Sequence, residues 1–189
     1  MNQTRKSARQ KILDVASELF YNEGIRAVGV DKIVEVSGVS KGTLYRHFPS
    51  KDDLIIAYLE EKSESLWVQF NDAVSAYEGS PRMQIFALVE SINALLTEPG
   101  IRGCVFLNAH AEFSNQNPIQ HLVQKHTEAL RNLLQRLTKE AGASDDTLAD
   151  QLLLVINGAF STAPIVGADI SGEQLKKVSA CLIDLHLNQ

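Results

Sequence analysis

Between Gly29 and Phe48 the chain reads GVDKIVEVSGVSKGTLYRHF, and its second half crowds Lys41, Thr43, Tyr45, Arg46 and His47 into seven residues. Leu44 and Phe48, four apart, are the inward positions of a short helix. That spacing leaves Lys41, Gly42, Thr43, Tyr45, Arg46 and His47 facing outward or sideways. The chemistry of such a face is recognition. Cations and hydroxyls at these positions reach phosphates and base edges, and a short helix with a small residue on its exposed side is what a DNA major groove accepts. A helical hairpin whose charges are merely solvated is the plain alternative. Gly42 argues against it, because glycine inside a helix costs about 1 kcal/mol relative to alanine and so calls for a reason such as close approach to DNA.

Two elements must hold that helix. Val30, Ile33 and Val34 stand at i, i+3 and i+4, one buried face of a preceding short helix. Ser37-Gly38-Val39 then supplies a glycine where the chain leaves it, and Ser40 caps the next helix with its hydroxyl. Upstream, an amphipathic helix is expected from Arg5 to Tyr21, with Ile12, Val15, Ala16, Leu19 and Phe20 as its stripe and Gly24 in the C-cap role. It braces the pair, while Arg5, Lys6 and Arg9 at its start suit either phosphates or solvent. Met1 to Thr4 read as a frayed arm.

The run from Val30 to Leu54, with Gly38-Val39-Ser40, Gly42, Tyr45, His47-Phe48 and Lys51-Asp-Asp-Leu54, resembles the TetR family of transcriptional regulators. Several anchors match together, over about the first quarter of the chain; beyond that the likeness is one of helical layout and length. Val34 and Ser37 stand where the family more often has alanine, and Gly29 where a Ser or Thr cap is usual. The resemblance implies a DNA-contacting set of Ser40, Lys41, Gly42, Thr43, Tyr45, Arg46, His47 and Lys51. Lys51 would be a phosphate contact, in the first turn of a helix whose N-terminus already favours an anion.

The net charge of -5 by itself argues against a nucleic-acid binder. Its distribution reverses that inference: nine Lys and Arg face five acidic residues up to Lys51, against nine and eighteen in the remainder. A basic head on an acidic body is the pattern expected. The two cysteines, Cys104 and Cys181, make no CxxC or disulfide framework, which suits a reducing cytosol. His121 and His126 are five apart and miss the i, i+4 spacing for sharing a metal. No metal and no cofactor are expected. The N-terminus lacks an apolar run after its charges, and no segment is expected to be apolar enough to span a membrane. A soluble, cytoplasmic protein follows as the expectation.

Past Pro49-Ser50 a long helix is expected from Lys51 to Tyr77, carrying Leu66, Trp67 and Phe70. Core packing is the default for those aromatics, with ligand contact as the alternative. Helices should follow over Arg82 to Thr97, Arg102 to Phe113 and Pro118 to Ala141. In the second of these Cys104, Asn108 and Glu112 form a polar line beside Leu107 and Ala111, which reads as a pocket wall or as a partly exposed core helix. The family layout favours the pocket, to which Trp67, Phe70, Phe86, Cys104, Asn108 and Phe113 are assigned. Cys104 is either a small buried hydrophobe or, beside a helix start and Arg102, a reactive thiol.

A helix beginning near Asp146 is apolar all round at Leu152 to Ile156, and the last, from Gly172 to Leu187, carries Leu175, Val178, Leu182 and Leu185 as a narrow seam. Spare apolar surface on two consecutive helices predicts a four-helix dimer interface. The fold expected is all-α, about nine helices, with a helix-turn-helix DNA-binding domain over residues 1–48 and a regulatory, ligand-binding and dimerisation domain over 49–189.

Function is expected to be ligand-responsive repression by a homodimer on a pseudo-palindromic DNA operator, released by a small-molecule effector. A constitutive DNA-binding protein without effector is the alternative. An enzyme carrying this head is disfavoured, because no Ser/His/Asp order, GxSxG, phosphate loop or paired-histidine motif is present.

Overall fold

The computed structural model describes residues 6–113 and 118–187, so the expected arm at Met1 to Thr4, Arg5 and most of the expected loop at Asn115 to Pro118 lie outside the described residues. The described residues are all-α: α1 (Ala8–Glu23), α2 (Val30–Ser37), α3 (Lys41–His47), α4 (Lys51–Ser75), α5 (Pro81–Leu96), α6 (Val105–Glu112), α7 (Pro118–Glu140), α8 (Thr147–Val166) and α9 (Ala168–Leu187). They form two compact units, residues 1–63 with 105–123 and residues 64–104 with 124–189. The divisions fall inside α4, at the start of α6 and inside α7.

In the first unit α1 packs on α2 and α3. Ile12, Leu13, Ala16 and Phe20 form the buried face of α1, so Leu13 takes an inward place that the stripe reading gave to Val15 and Leu19. Ser7 caps α1, its hydroxyl accepting from the Gln10 amide at 3.2 Å. Ile25, Val28, Ile33, Leu44, Phe48, Leu54, Ile55, Tyr58, Phe106 and Ile119 are buried with them. The Phe20 and Tyr58 rings meet at 5.7 Å between centroids, tilted by 59°. Ser50 opens α4 with a reciprocal cap: its hydroxyl accepts from the Asp53 amide at 3.1 Å, and Asp53 Oδ2 accepts from the Ser50 amide at 2.9 Å.

In the second unit α9 packs on α8 and α5. The core holds Phe70, Val74, Ile85, Leu88, Ile92, Leu134, Leu137, Leu152, Ile156, Leu175 and Ile183. Small residues let the helices approach. Ser171, Gly172 and Ser179 of α9 are buried, and a β-carbon at Gly172 would collide with Asn93 Oδ1 of α5. Gly172 therefore lies inside α9, which starts four residues earlier than its sequence signals predict.

Two features of α8 differ from expectation or extend it. By length and composition α8 is apolar enough to cross a membrane, contrary to the expectation that no segment would be. Packing accounts for one side, since Leu148, Ala149, Leu152, Ile156, Ala159 and Ala163 are buried in the core. The other side is bare: Leu154 is 72 % exposed and Ile165 82 %, with Gly158 and Ser161 between them on the same stripe. On α9, Ile170, Val178 and Leu185 are likewise exposed.

Candidate nucleic-acid interface

The turn between α2 and α3 is built by local chemistry. Gly38 ends α2 in the left-handed conformation, φ 64°, where a side chain would be strained, and its amide donates to the Val34 carbonyl at 2.9 Å. Ser37 is fully buried, and its hydroxyl donates to the Val34 carbonyl oxygen at 3.3 Å, so a polar residue at this packed place keeps a partner. Gly29 starts α2 without any side-chain cap. Ser40 starts α3 with one, accepting from the Thr43 amide at 3.1 Å, and its hydroxyl meets that of Thr43 at 2.9 Å.

Leu44 and Phe48 are buried, at 0 % and 2 % exposure. Lys41, Gly42, Tyr45, Arg46 and His47 are exposed and Thr43 is half-buried. Lys41 is not loose: its ammonium lies 2.6 Å from Asp31 Oδ1 of α2, and that carboxylate holds its pKa above the ordinary lysine value. Gly42 has helical backbone and nothing within 4 Å of where a β-carbon would stand. The fold itself sets no demand for glycine at 42. Behind α3, the Arg9 guanidinium lies over the Phe48 ring at 5.1 Å, so Arg9 spends at least part of its surface on packing.

Lys51 stands differently from the role the resemblance implies. Its ammonium donates to the carbonyl oxygen of Ile25 at 2.6 Å, reaches that of Arg26 at 3.5 Å, and lies 5.9 Å from the Phe20 ring centroid. Burial lowers its pKa, against the opposing pull of Glu112 and Asp52. Its charge is directed at the turn between α1 and α2.

Glu112, the last residue of α6, meets the same turn. Its Oε1 accepts from the Ile25 amide at 3.0 Å and its Oε2 from the Arg26 amide at 2.6 Å. The sequence places Glu112 on a polar line that reads as a pocket wall or a partly exposed core helix, and nothing in it points to this turn, because the partners lie 86 and 87 residues away. The only available signal was a carboxylate at the C-terminal end of a helix, where the dipole disfavours it.

The six residues assigned to a pocket divide between the units: Trp67, Phe70, Phe86 and Cys104 in the second, Asn108 and Phe113 in the first. Phe70 is a core residue at 3 % exposure. Trp67 packs against it edge-on at 5.8 Å and touches His126 at 5.9 Å. Phe86 is half-buried beneath the Arg82 guanidinium. Cys104 is half-buried immediately before α6, and Phe113 lies under the Arg26 guanidinium at 5.5 Å. Among the described residues no group of His, Cys, Asp and Glu is placed to hold a metal ion.

Residues 12–58 match the model of the bacterial regulatory proteins of the tetR family. A TetR-family transcriptional regulator from Streptomyces coelicolor has the same architecture, with a TM-score of 0.90 at 30 % identity over 95 % of each chain. Two curated relatives come from Mycolicibacterium smegmatis. The HTH-type transcriptional repressor KstR is 28 % identical over 76 % of this chain and 83 % of its own length. The HTH-type transcriptional activator FasR is 42 % identical over 62 residues, 33 % of this chain, and the matched stretch spans only 28 % of FasR.

Proposed function

Since the chain belongs to the TetR family of transcriptional regulators, and is thus a DNA-binding regulator, we propose that it is a repressor that occupies a pseudo-palindromic operator as a homodimer and leaves it when a small molecule binds the body. One observation carries the DNA-binding half. The exposed face of α3 combines Lys41, Tyr45, Arg46 and His47 with a glycine that the protein does not need for its own packing. A side chain at 42 would stand where a base edge or phosphate comes closest.

Repression is favoured over activation by where the likeness lies. The activator relative shares a stretch of 62 residues, whereas the repressor relative is similar along most of both chains. Dimerisation is supported by the bare apolar stripes on α8 and α9, which water does not favour and a second copy would cover. DNA contacts are assigned to Ser40, Lys41, Gly42, Thr43, Tyr45, Arg46 and His47, in a head of residues 1–48. The body, 49–189, is assigned the effector, with Trp67, Phe86, Cys104, Asn108 and Phe113 as the residues to probe and Phe70 behind Trp67 as support. An effector would act by binding one arrangement of the two heads better than the other. A cytoplasmic location follows from this work on DNA.

Selection of duplexes from a random pool tests the reading. An inverted repeat should be enriched, with half-sites one helical turn or a multiple of it apart, about 34 Å per turn. Enrichment of nothing, or of a single unrepeated half-site, would contradict it.

A further inference from the structure

We propose that Glu112 is a positioning residue for DNA binding: through its carboxylate, α6 sets the attitude of α2 and α3 by holding the turn from which α2 departs. The inference rests on the DNA-binding reading above.

Three observations within the first unit carry it. The first is the double contact of Glu112 with the amides of Ile25 and Arg26. A carboxylate that accepts two backbone N–H groups fixes both the position and the tilt of the peptide groups that carry them, since each oxygen has its own donor. In that turn Gly24 has φ 95°, the place of a β-carbon on it lies 3.6 Å from Glu112 Oε1, and Ile25 and Val28 are buried.

The second is that the end of α6 is itself pinned. Gln120 of α7 is fully buried; its amide nitrogen donates to the carbonyls of His110 at 2.8 Å and Phe113 at 2.6 Å. Its Oε1 lies 2.7 Å from His110 Nδ1, and because an amide oxygen only accepts, that histidine nitrogen carries the proton. The last turn of α6 is thus tied to the start of α7 through Gln120.

The third is energetic. A carboxylate at the C-terminal end of a helix faces the negative pole of the helix dipole, so Glu112 sits where α6 alone would not favour it. What favours it there is the pair of amides across the gap. The Arg26 guanidinium over the Phe113 ring adds a second tie between the same turn and the residue that follows Glu112.

Any shift of α6 is therefore felt at Ile25 and Arg26 before it is felt at α3. Two heads bound to one operator must keep a fixed separation, so a turn that is loose should weaken binding. Glu112→Gln keeps the length and one accepting oxygen but turns an NH2 group toward a backbone N–H; Glu112→Asp keeps both carboxylate oxygens.

The experiment measures three things on the full-length protein: backbone amide hydrogen exchange at Ile25 and Arg26, thermal melting, and affinity for a duplex selected by the wild-type protein, corrected for active fraction. For Glu112→Gln we expect faster exchange at those two amides, a melting temperature near wild type, and about tenfold weaker DNA binding with an unchanged salt slope; for Glu112→Asp, a loss of no more than about threefold. Exchange at Ile25 and Arg26 that is unchanged in Glu112→Gln overturns the proposal, whether or not the wild type binds DNA. So does Glu112→Gln affinity within about twofold of wild type, or an equal loss in both variants that tracks a lowered melting temperature. A wild-type protein that selects no duplex defeats the DNA-binding reading instead, and the exchange arm still decides what Glu112 holds.

Discussion

Lys51 and Glu112 hold opposite poles of a single peptide group. The Ile25 carbonyl oxygen takes the Lys51 ammonium at 2.6 Å, while the Arg26 N–H of that same peptide unit donates to Glu112 at 2.6 Å. A peptide dipole lying between a cation at its oxygen and an anion at its nitrogen has one favoured orientation. The start of α4 and the end of α6 thus meet on the turn between α1 and α2, although 61 residues of sequence separate the two side chains.

For Lys51 this gives an outcome opposite to the one a phosphate contact would give. Lys51→Met keeps much of the apolar length of the side chain and removes the ammonium, leaving the Ile25 carbonyl without its charged donor and Phe20 without the cation near its ring. Stability should fall by about 1 to 2 kcal/mol. DNA affinity should fall by a similar factor at every salt concentration, so the slope of log K against log salt stays put. A slope that flattens by about one unit would return Lys51 to the phosphates.

Gly42→Ala separates folding from DNA reading. Alanine fits, since the backbone is helical and nothing lies within 4 Å of the new carbon. The protein should become more stable by about 1 kcal/mol, read as a rise in melting temperature. Operator binding should weaken at the same time, by about tenfold if the methyl group meets a base edge. A variant that is more stable and binds as well as wild type would mean that α3 presents another side to DNA.

The parts of this arrangement that were legible in the sequence are those with local causes. Leu44 and Phe48 announce the inward face of α3, Gly38 its left-handed turn, and Ser40 its cap, each within four residues of its effect. The turn from Ile25 to Ala27 was not legible in this way. What organises it comes from Lys51 and Glu112, and no periodicity connects Glu112 to Arg26. The same holds in the second unit. Gly172 looks like a helix start, yet it lies inside α9, where a β-carbon would meet the Asn93 side-chain oxygen and that side chain would have to shift. For Trp67 and Phe70 the default expectation of packing describes Phe70 well, as a fully packed core ring.

The bare stripes of α8 and α9 make a prediction about assembly. Leu154→Lys combined with Ile165→Lys replaces two of the most exposed apolar side chains without touching the buried ones. The fold should survive, with a change in stability of no more than about 0.5 kcal/mol. Sedimentation should shift from dimer to monomer. Cys181 lies between Val178 and Leu185 on the exposed side of α9, so it serves as an internal reporter. Alkylation of Cys181 should be slow in the wild type and fast in the double variant. A wild type that sediments as a monomer at micromolar concentration, with Cys181 fast throughout, would remove the proposed interface.

The last expectation concerns acid. His126 is buried beside Trp67, and desolvation lowers its pKa from 6.5 to about 4. In the unfolded chain it titrates near 6.5, so between these values the unfolded state binds more protons than the folded one. Stability is therefore complete above about pH 6.5 and is lost as the pH falls toward 4. Taken over the whole window the loss is roughly 2 to 3 kcal/mol from this one group. His126→Phe should flatten that part of the stability curve while leaving the carboxylate contribution at lower pH. Trp67 is the only tryptophan in the chain, and an imidazolium against its ring quenches it, so its emission reports the titration directly. The folded protein should hold its emission from pH 7 to 5 and lose it with a midpoint near 4. A midpoint near 6.5 with the helices intact would mean that His126 is solvated in the native protein and that the Trp67 contact leaves it open to water.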